Sequence, residues 1–122
     1  KICLVSTGYM SHKALRVASL LNKHKIEVGV IDVFFLKPLN EGLLSKTLNP
    51  YDYVITLEEA FINKGGLDSL VASILTRRNS KFRIKRMGFE DAYVFDMGSR
   101  EHLHKLNHLD EESIIKSIEE FS

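Results

Sequence analysis

The 122-residue sequence has one cysteine, almost no excess of either charge and no long apolar run. A single cysteine excludes an internal disulfide bond and a thiolate zinc site, and it is typical of a reducing cytoplasm. Because 17 basic residues nearly balance 16 acidic ones, no strong electric field attracts nucleic acid. No apolar run is long enough to span a bilayer as a helix. We therefore expect a cytoplasmic protein without a nucleic-acid or membrane partner.

The length and composition of the sequence are those of one globular domain. Of its residues, 44% are hydrophobic and 27% are charged, a balance typical of soluble globular chains. The opening run KICLVSTG lacks a methionine and has strand character at once. Since a natural domain rarely starts so abruptly, we expect residues 1–122 to be one domain of a longer polypeptide. Cys3 lies in this run and is expected to be a small buried hydrophobe rather than a nucleophile.

The apolar pattern alternates between the periods of strands and helices. Four apolar runs predict strands, at residues 1–6, 26–35, 52–59 and 82–89. Five segments with helical spacing follow them, and their predicted starts are Ser11, Asn40, Gly66, Ser99 and Asp110. Alternating strands and helices predict an α/β fold of three layers. Its central layer is a doubly wound, mainly parallel sheet of about four strands in the order 2-1-3-4.

A ligand site in such a sheet lies beyond the carboxyl ends of the strands, where the strand order reverses. Here that point is expected between the first and third strands. The residues that follow these two strands, and are therefore candidates for a cleft or an interface, are Thr7, Gly8, Tyr9, Glu58, Glu59, Gly65 and Gly66.

The residue types of this cluster suggest two kinds of chemistry. The amides after Gly65 and Gly66 could cradle a phosphate. However, G-x-G-x-x-G and the P-loop consensus are absent, and Asp68 would repel an anion. Glu58 and Glu59 could be an acid/base pair, but adjacent strand residues point to opposite faces. We expect one of them to face the cleft or a partner while the other caps a helix or is solvated. No catalytic residue is predicted.

A metal site is the third alternative. His104 and His108 have the spacing of one helix face, and His102 is close by in the sequence. No acidic or thiolate third ligand is placed near them by the sequence. We therefore interpret these histidines as a polar helix face and predict no metal site.

Eight short segments in a fixed order resemble one family. They are STG at 6–8, HKAL at 12–15, LKPLN at 36–40, TLEE at 56–59, GGLDS at 65–69, GFED at 88–91, GSREHL at 98–103 and LDEESI at 109–114. Together they resemble the C-terminal domain of the transketolase group of thiamine-diphosphate enzymes, which includes transketolase, deoxyxylulose-phosphate synthase and the 2-oxoacid dehydrogenase beta subunit. The chain departs from the family pattern at Asn40, where Asp is usual, at Ala60, often Asn, and at Asp68, where Gly is common.

The resemblance implies a supporting role. In this family, thiamine diphosphate and magnesium are bound by the pyrimidine- and pyrophosphate-binding domains, and the C-terminal domain supplies contacts in a homodimer. No cofactor-binding residue is therefore expected in this chain. Asp91 joins the interface or cleft candidates because GFED resembles the family's Gly-x-x-Asp segment. The family also places an antiparallel strand before residue 1, beside the second strand. The sequence leans toward the transketolase and deoxyxylulose-phosphate synthase types.

A second hypothesis is a stand-alone module of flavodoxin-like topology that binds a small ligand or a nucleotide. Its site would consist of Thr7, Gly8, Tyr9, Glu59 and Gly66. A chain that retains flavin or a phosphosugar would favour this hypothesis, and a chain that binds nothing and dimerises would favour the first.

Overall fold

A computed structural model of the chain describes residues 1–78 and 81–121 and shows strands alternating with helices. The strands are β1 (Ile2–Ser6), β2 (Val28–Asp32), β3 (Tyr53–Phe61) and β4 (Arg83–Phe89). The helices are α1 (Tyr9–Lys23), α2 (Glu41–Leu48), α3 (Leu67–Thr76), α4 (Arg100–Leu106) and α5 (Glu111–Glu119). All strand pairs are parallel, in the order β2-β1-β3-β4. The predicted α/β class and strand order are confirmed.

The sheet has a separate apolar core on each face, because successive strand residues point to opposite sides. Leu4 of β1 joins the core under α1 and α5, while its neighbours Cys3 and Val5 join the core under α2 and α3. Cys3 is fully buried, and burial raises the pKa of its thiol to about 12. The prediction of a small buried hydrophobe is confirmed. No helix among the described residues is long and apolar enough to cross a membrane.

Several predicted boundaries were wrong. The strand β2 begins at Val28 rather than at residue 26, and β3 ends at Phe61 rather than at residue 59. Helix α1 begins at Tyr9 after Gly8, so Ser11 is not its cap but a buried residue of its first turn. The second strand ends at Asp32 rather than at residue 35, because its partner β1 ends at Ser6 and offers no backbone for further pairing. Beyond that point, Phe34 and Phe35 are exposed.

Asn40 caps α2, as the sequence predicted. Its side-chain oxygen accepts a hydrogen bond from the Leu43 backbone N–H at 3.0 Å, which satisfies one of the free donors of the first turn. We expect Asn40→Ala to lower the free energy of unfolding by about 1 kcal/mol. Asn40→Asp keeps an acceptor and should unfold within about 0.5 kcal/mol of the parent chain. Urea unfolding of the parent chain and the two variants measures this. Equal unfolding midpoints for Asn40→Ala and the parent chain would contradict the cap.

The topology places the candidate residues at one edge. From β1 the chain crosses to β2 on one side, and from β3 it crosses to β4 on the other. The strand order therefore reverses between β1 and β3, and the loops that follow all four strands lie at the carboxyl edge of the sheet.

Candidate functional site

The loop after β1 is held against β3 at this edge. The Thr7 N–H donates to the Leu57 carbonyl oxygen at 3.3 Å. Gly8 has φ +60° and ψ −136°, a conformation that residues with a Cβ atom rarely adopt. Its carbonyl oxygen accepts from the Ser11 N–H at 3.1 Å. Gly8 thus permits the abrupt change from strand to helix that brings Tyr9 to the edge.

Glu58 fills the anion-binding position at the start of α3. Its carboxylate is 2% exposed and accepts hydrogen bonds from the N–H groups of Leu67, at 3.0 Å, and Asp68, at 3.2 Å. Burial raises the pKa of Glu58, and these two amides oppose the effect. The helix N-terminus that could have cradled a phosphate is therefore occupied by a carboxylate of the protein itself.

Gly66 makes room for this carboxylate. A Cβ atom at this position would lie 2.5 Å from Glu58 Oε2, well inside van der Waals contact. Its φ of −83° is open to any residue, so the requirement for glycine is steric. Gly65, with φ +83°, forms the turn before it, and the Gly65 N–H donates to Ser69 Oγ at 3.2 Å.

Asp68 is also used within the fold. It is fully buried and accepts from the backbone N–H groups of Asn63 and Ser69, both at 2.7 Å. Burial opposes its ionisation, but these amides, Glu58 and the Arg86 guanidinium hold its pKa below the usual range. Asp68 thus stabilises the loop between β3 and α3. At the same edge, Asp91 pairs with Lys64 at 3.0 Å, with both side chains largely exposed.

Glu59 lies on the opposite face of the sheet from Glu58, as the strand geometry predicted. Its Oε2 atom is 2.8 Å from His104 Nε2 and 3.0 Å from Arg100 Nε. The two glutamates therefore belong to different networks and do not form a close acid/base pair. One caps a helix, and the other binds two side chains of α4.

On its other ring nitrogen, His104 contacts a buried cation, Lys13. The side chains of Lys13 and His104 are 0% and 1% exposed, and Lys13 Nζ lies 2.7 Å from His104 Nδ1 and 2.9 Å from Glu101 Oε2. A lysine ammonium only donates hydrogen bonds. His104 Nδ1 must therefore accept, and its Nε2–H donates to Glu59. This assigns a neutral histidine with its proton on Nε2.

Tyr9 and Arg100 close the network toward solvent. Tyr9 Oη donates to Glu101 Oε1 at 2.8 Å, and the Arg100 guanidinium lies 4.2 Å from the centre of the Tyr9 ring. The hydrogen bonds from Lys13 and Tyr9 lower the pKa of Glu101. The bond to Glu101 raises the pKa of Tyr9. We call the six residues Tyr9, Lys13, Glu59, Arg100, Glu101 and His104 the Lys13 network.

The interpretation of the histidines as a polar helix face was wrong for His104. Its partner Lys13 lies 91 positions away, so no local pattern shows the contact. His108 lies beyond the end of α4 in a left-handed conformation, with φ +58°. The two residues therefore do not share a helix face. Within residues 1–78 and 81–121, no three His, Cys, Asp or Glu side chains are grouped as metal ligands.

The sequence interpretation missed Lys13, which it assigned to a face of α1 outside the apolar stripe. A signal was available. Lys13 follows Met10 by three positions and precedes Val17 by four, and both of these residues are fully buried. At helical spacing, Lys13 therefore lies on the buried stripe itself.

The lowered pKa of Glu101 predicts a contribution to acid sensitivity. A carboxyl group whose pKa is lower in the folded chain stabilises the fold above its unfolded pKa, about 4.3, and the contribution disappears as the pH falls through the folded pKa. We expect Glu101→Gln to lower stability at pH 7 and to flatten the loss of stability between about pH 5 and 3. Denaturant midpoints measured across this range test the prediction. Glu119→Gln, at an exposed site on α5, is the control, and a Glu101→Gln curve parallel to that of the parent chain would contradict it.

Comparisons with known proteins give a consistent result. The family model described as "Transketolase, C-terminal domain" matches residues 1–114. The 1-deoxy-D-xylulose-5-phosphate synthase of Clostridium tetani is 33% identical over 118 residues, which are 97% of this chain and 19% of that protein. The corresponding synthase of Aquifex aeolicus is 33% identical over 115 residues, 94% of this chain and 18% of that protein.

A solved structure has the same fold. It is described as the inactive beta4 tetramer of a split-gene transketolase, and it matches with a TM-score of 0.84 and 28% identity. The match covers 98% of this chain and 38% of that one. The chain thus spans less than a fifth of the length of these two curated relatives.

Proposed function

Because the chain belongs to the transketolase C-terminal domain family, we propose that it is the C-terminal domain of a thiamine-diphosphate-dependent ketol transferase. The parent enzyme is of the transketolase or 1-deoxy-D-xylulose-5-phosphate synthase type. It cleaves a carbon–carbon bond next to a ketone or a 2-oxo acid and passes the two-carbon unit to an aldehyde. Its thiamine diphosphate and magnesium ion are held by the pyrimidine- and pyrophosphate-binding domains. This chain contributes to assembly of the homodimer and is inactive alone.

One observation favours a supporting role over a catalytic one: the polar groups at the carboxyl edge form hydrogen bonds and ion pairs with one another. Glu58 occupies the amides at the start of α3, and Glu59 is bound by His104 and Arg100. A catalytic carboxylate needs access to a substrate proton, and a phosphate site needs free amides. The alternative of a stand-alone nucleotide or small-ligand module therefore has less support than an assembly role.

The outer edge of β2 supports a further part of the proposal. Within the described residues β2 pairs with β1 alone, and a broad groove beside it is lined by Leu15, Ala18, Val28 and Gly29. An open strand edge is normally covered in natural proteins. We propose that an antiparallel strand preceding residue 1 in the parent polypeptide covers it.

The test separates assembly from chemistry in the parent enzyme. We expect Glu59→Ala and Gly66→Val to reduce the fraction of assembled enzyme, while turnover per assembled enzyme stays within about twofold of the parent value. Light scattering gives the assembled mass, and steady-state kinetics on the purified assembly gives turnover. Glu119→Ala, an exposed change on α5, is the control for both. Lost turnover in an assembly of normal mass would contradict the supporting role.

A further inference from the structure

Helix α4 is attached to the rest of the fold mainly by polar contacts. Of its seven residues, all of which the structure describes, His104 alone is buried. Its two leucines contribute little, since Leu103 is only half-buried and Leu106 is 47% exposed. A surface helix normally packs through a broad apolar stripe. The Lys13 network therefore does for α4 what an apolar stripe does for other helices.

Three side chains of α4 make these contacts with two other elements. Arg100 and His104 both contact Glu59 Oε2 of β3, at 3.0 and 2.8 Å. Glu101 and His104 both contact Lys13 Nζ of α1, at 2.9 and 2.7 Å. Each of these five side chains is charged or can become charged. The attachment of α4 therefore depends on their protonation states.

Only one protonation state of His104 is compatible with its two contacts. Its Nε2–H donates to Glu59, and its Nδ1 accepts from Lys13 Nζ. An imidazolium carries a proton on both ring nitrogens. The second proton would stand on Nδ1, opposite an ammonium 2.7 Å away. Because a lysine ammonium cannot accept a hydrogen bond and the two side chains are 0% and 1% exposed, this contact cannot survive protonation of His104.

The other groups around His104 offer the second proton no partner. They are two carboxylates, one guanidinium and two uncharged rings, namely Glu59 of β3, Glu101 and Arg100 of α4, Tyr9 of α1 and Phe89 of β4. Both carboxylates attract an imidazolium, but each already has a cationic partner. The bond from Nε2–H to Glu59 exists with or without the second proton. Protonation on Nδ1 therefore removes one hydrogen bond and creates none.

Helix α4, rather than α1, is the element that can move away. Lys13 belongs to the 15-residue helix α1, whose Met10, Ala14 and Val17 are fully buried. By contrast, α4 follows a segment that is exposed throughout, at residues 91–99. Its other end is tethered by Leu109, a fully buried residue of the core under α1 and α5. A released α4 would thus stay connected to the core and place His104 in solvent.

From this geometry we infer that the Lys13 network is an acid-sensitive switch: a proton on Nδ1 of His104 breaks the bond to Lys13 and releases α4, with residues 91–99, from the fold. An exposed histidine has a pKa of about 6.5. Released α4 binds this proton and docked α4 does not, so docking is favoured above about pH 6.5 and weakens below it. The ratio of released to docked α4 should rise about 10-fold between pH 7.5 and 5.5. The inference is independent of the proposed function.

Hydrogen exchange measures the release of α4. The purified polypeptide that contains residues 1–122 is exchanged at pH 7.5 and 5.5. Mass spectrometry follows the peptides of α4 and α5 as protection factors, which remove the intrinsic effect of pH on exchange. We expect the protection of α4 to fall about 10-fold at pH 5.5, and that of α5 to change by less than about twofold. Equal protection of α4 at the two pH values would overturn the inference.

The chosen pH range separates the histidine from the carboxylates. A carboxyl group has a usual pKa of about 4.3, below this range, and the pKa of Glu101 is lowered further. The bond to Glu101 raises the pKa of Tyr9 above its usual value, which already lies above the range. The other four histidines, His12, His24, His102 and His108, are exposed and take up a proton without losing a buried contact.

The variant His104→Gln separates titration from contact. A glutamine amide offers one acceptor and a donor, as the neutral histidine does, but takes up no proton. We expect the fall in α4 protection between pH 7.5 and 5.5 to shrink to less than about twofold. His102→Gln, at an exposed position of the same helix, is the matched control and should keep the fall of about 10-fold. The same fall in both variants would refute a role for His104.

The variant Lys13→Met tests the switch without changing the histidine. Once the ammonium is gone, Nδ1 can take up a proton while Nε2–H keeps its bond to Glu59. Acid then no longer opposes docking, so we expect α4 protection to stay constant or to rise between pH 7.5 and 5.5. A fall of about 10-fold, as in the parent chain, would show that α4 responds to acid without Lys13 and would overturn the switch.

Discussion

Replacing Gly66 by alanine is expected to lower the free energy of unfolding by about 3 kcal/mol. The new Cβ atom would lie 2.5 Å from Glu58 Oε2 and 3.1 Å from the other carboxylate oxygen. The carboxylate has to move away and lose its hydrogen bonds to the amides of Leu67 and Asp68. Because Glu58 is 2% exposed, water cannot replace them. The cost is that of a buried charged group without partners.

Three further variants make this prediction specific: Gly42→Ala, Glu58→Ala and the double variant of Glu58 and Gly66. At Gly42, in the exposed first turn of α2, the nearest atom to a new Cβ lies 3.7 Å away. Gly42→Ala should therefore stabilise the fold by about 0.5–1 kcal/mol. Adding Glu58→Ala to Gly66→Ala removes the clash, so the double variant should cost less than the sum of the two single changes. Urea unfolding of all four variants measures these values. A Gly66→Ala chain as stable as the parent would show that the carboxylate can rearrange freely.

The second large effect is expected at His104. Its replacement by leucine removes the acceptor for Lys13 Nζ at 2.7 Å and leaves a fully buried ammonium bound to Glu101 alone. Removing a neutral acceptor from a buried charged donor that keeps one other partner is expected to cost about 3 kcal/mol. Lys13→Met removes the charge and keeps most of the volume. It leaves the buried, neutral histidine nitrogen without a donor, which costs about 2 kcal/mol, whereas Glu101 is more than half exposed and can be solvated in place of its bond to Lys13.

The double variant is the decisive comparison. Lys13→Met combined with His104→Leu replaces the polar contact by an apolar one, so it should cost clearly less than the sum of the single changes. Chemical denaturation with a double-mutant cycle gives this coupling energy directly. Additive costs would show that the two side chains do not depend on each other, and would contradict the hydrogen-bonding pattern assigned to the Lys13 network.

Most of the fold could be predicted because its signals are local. The change from strand to helix period marks each element, and strands alternating with helices are compatible with few topologies. Asn40 and Ser99 act as helix caps in the structure as their types predict. The end of β2 was missed for a non-local reason: the strand stops where β1 stops, and no property of Phe34 or Phe35 indicates this.

The candidate site was predicted less completely. The opposite orientation of Glu58 and Glu59 follows from strand geometry alone. Which of the two glutamates caps α3 and which contacts α4 does not follow from strand geometry, because it depends on which face of the sheet each helix covers. The Lys13 network joins residues about 90 positions apart, and a lysine is almost never fully buried unless it is paired. Only the position of Lys13 between Met10 and Val17 indicated its burial.

The mass of the native polypeptide that carries this chain tests the central claim most directly. An antibody against residues 1–122, used on an immunoblot of denatured extract from source cells, reports that mass. We predict a band several times heavier than the 13.9 kDa of this chain, since the chain spans 19% of the synthase of Clostridium tetani. A band near 13.9 kDa would contradict the account, because the protein would then be a free-standing domain with its own function.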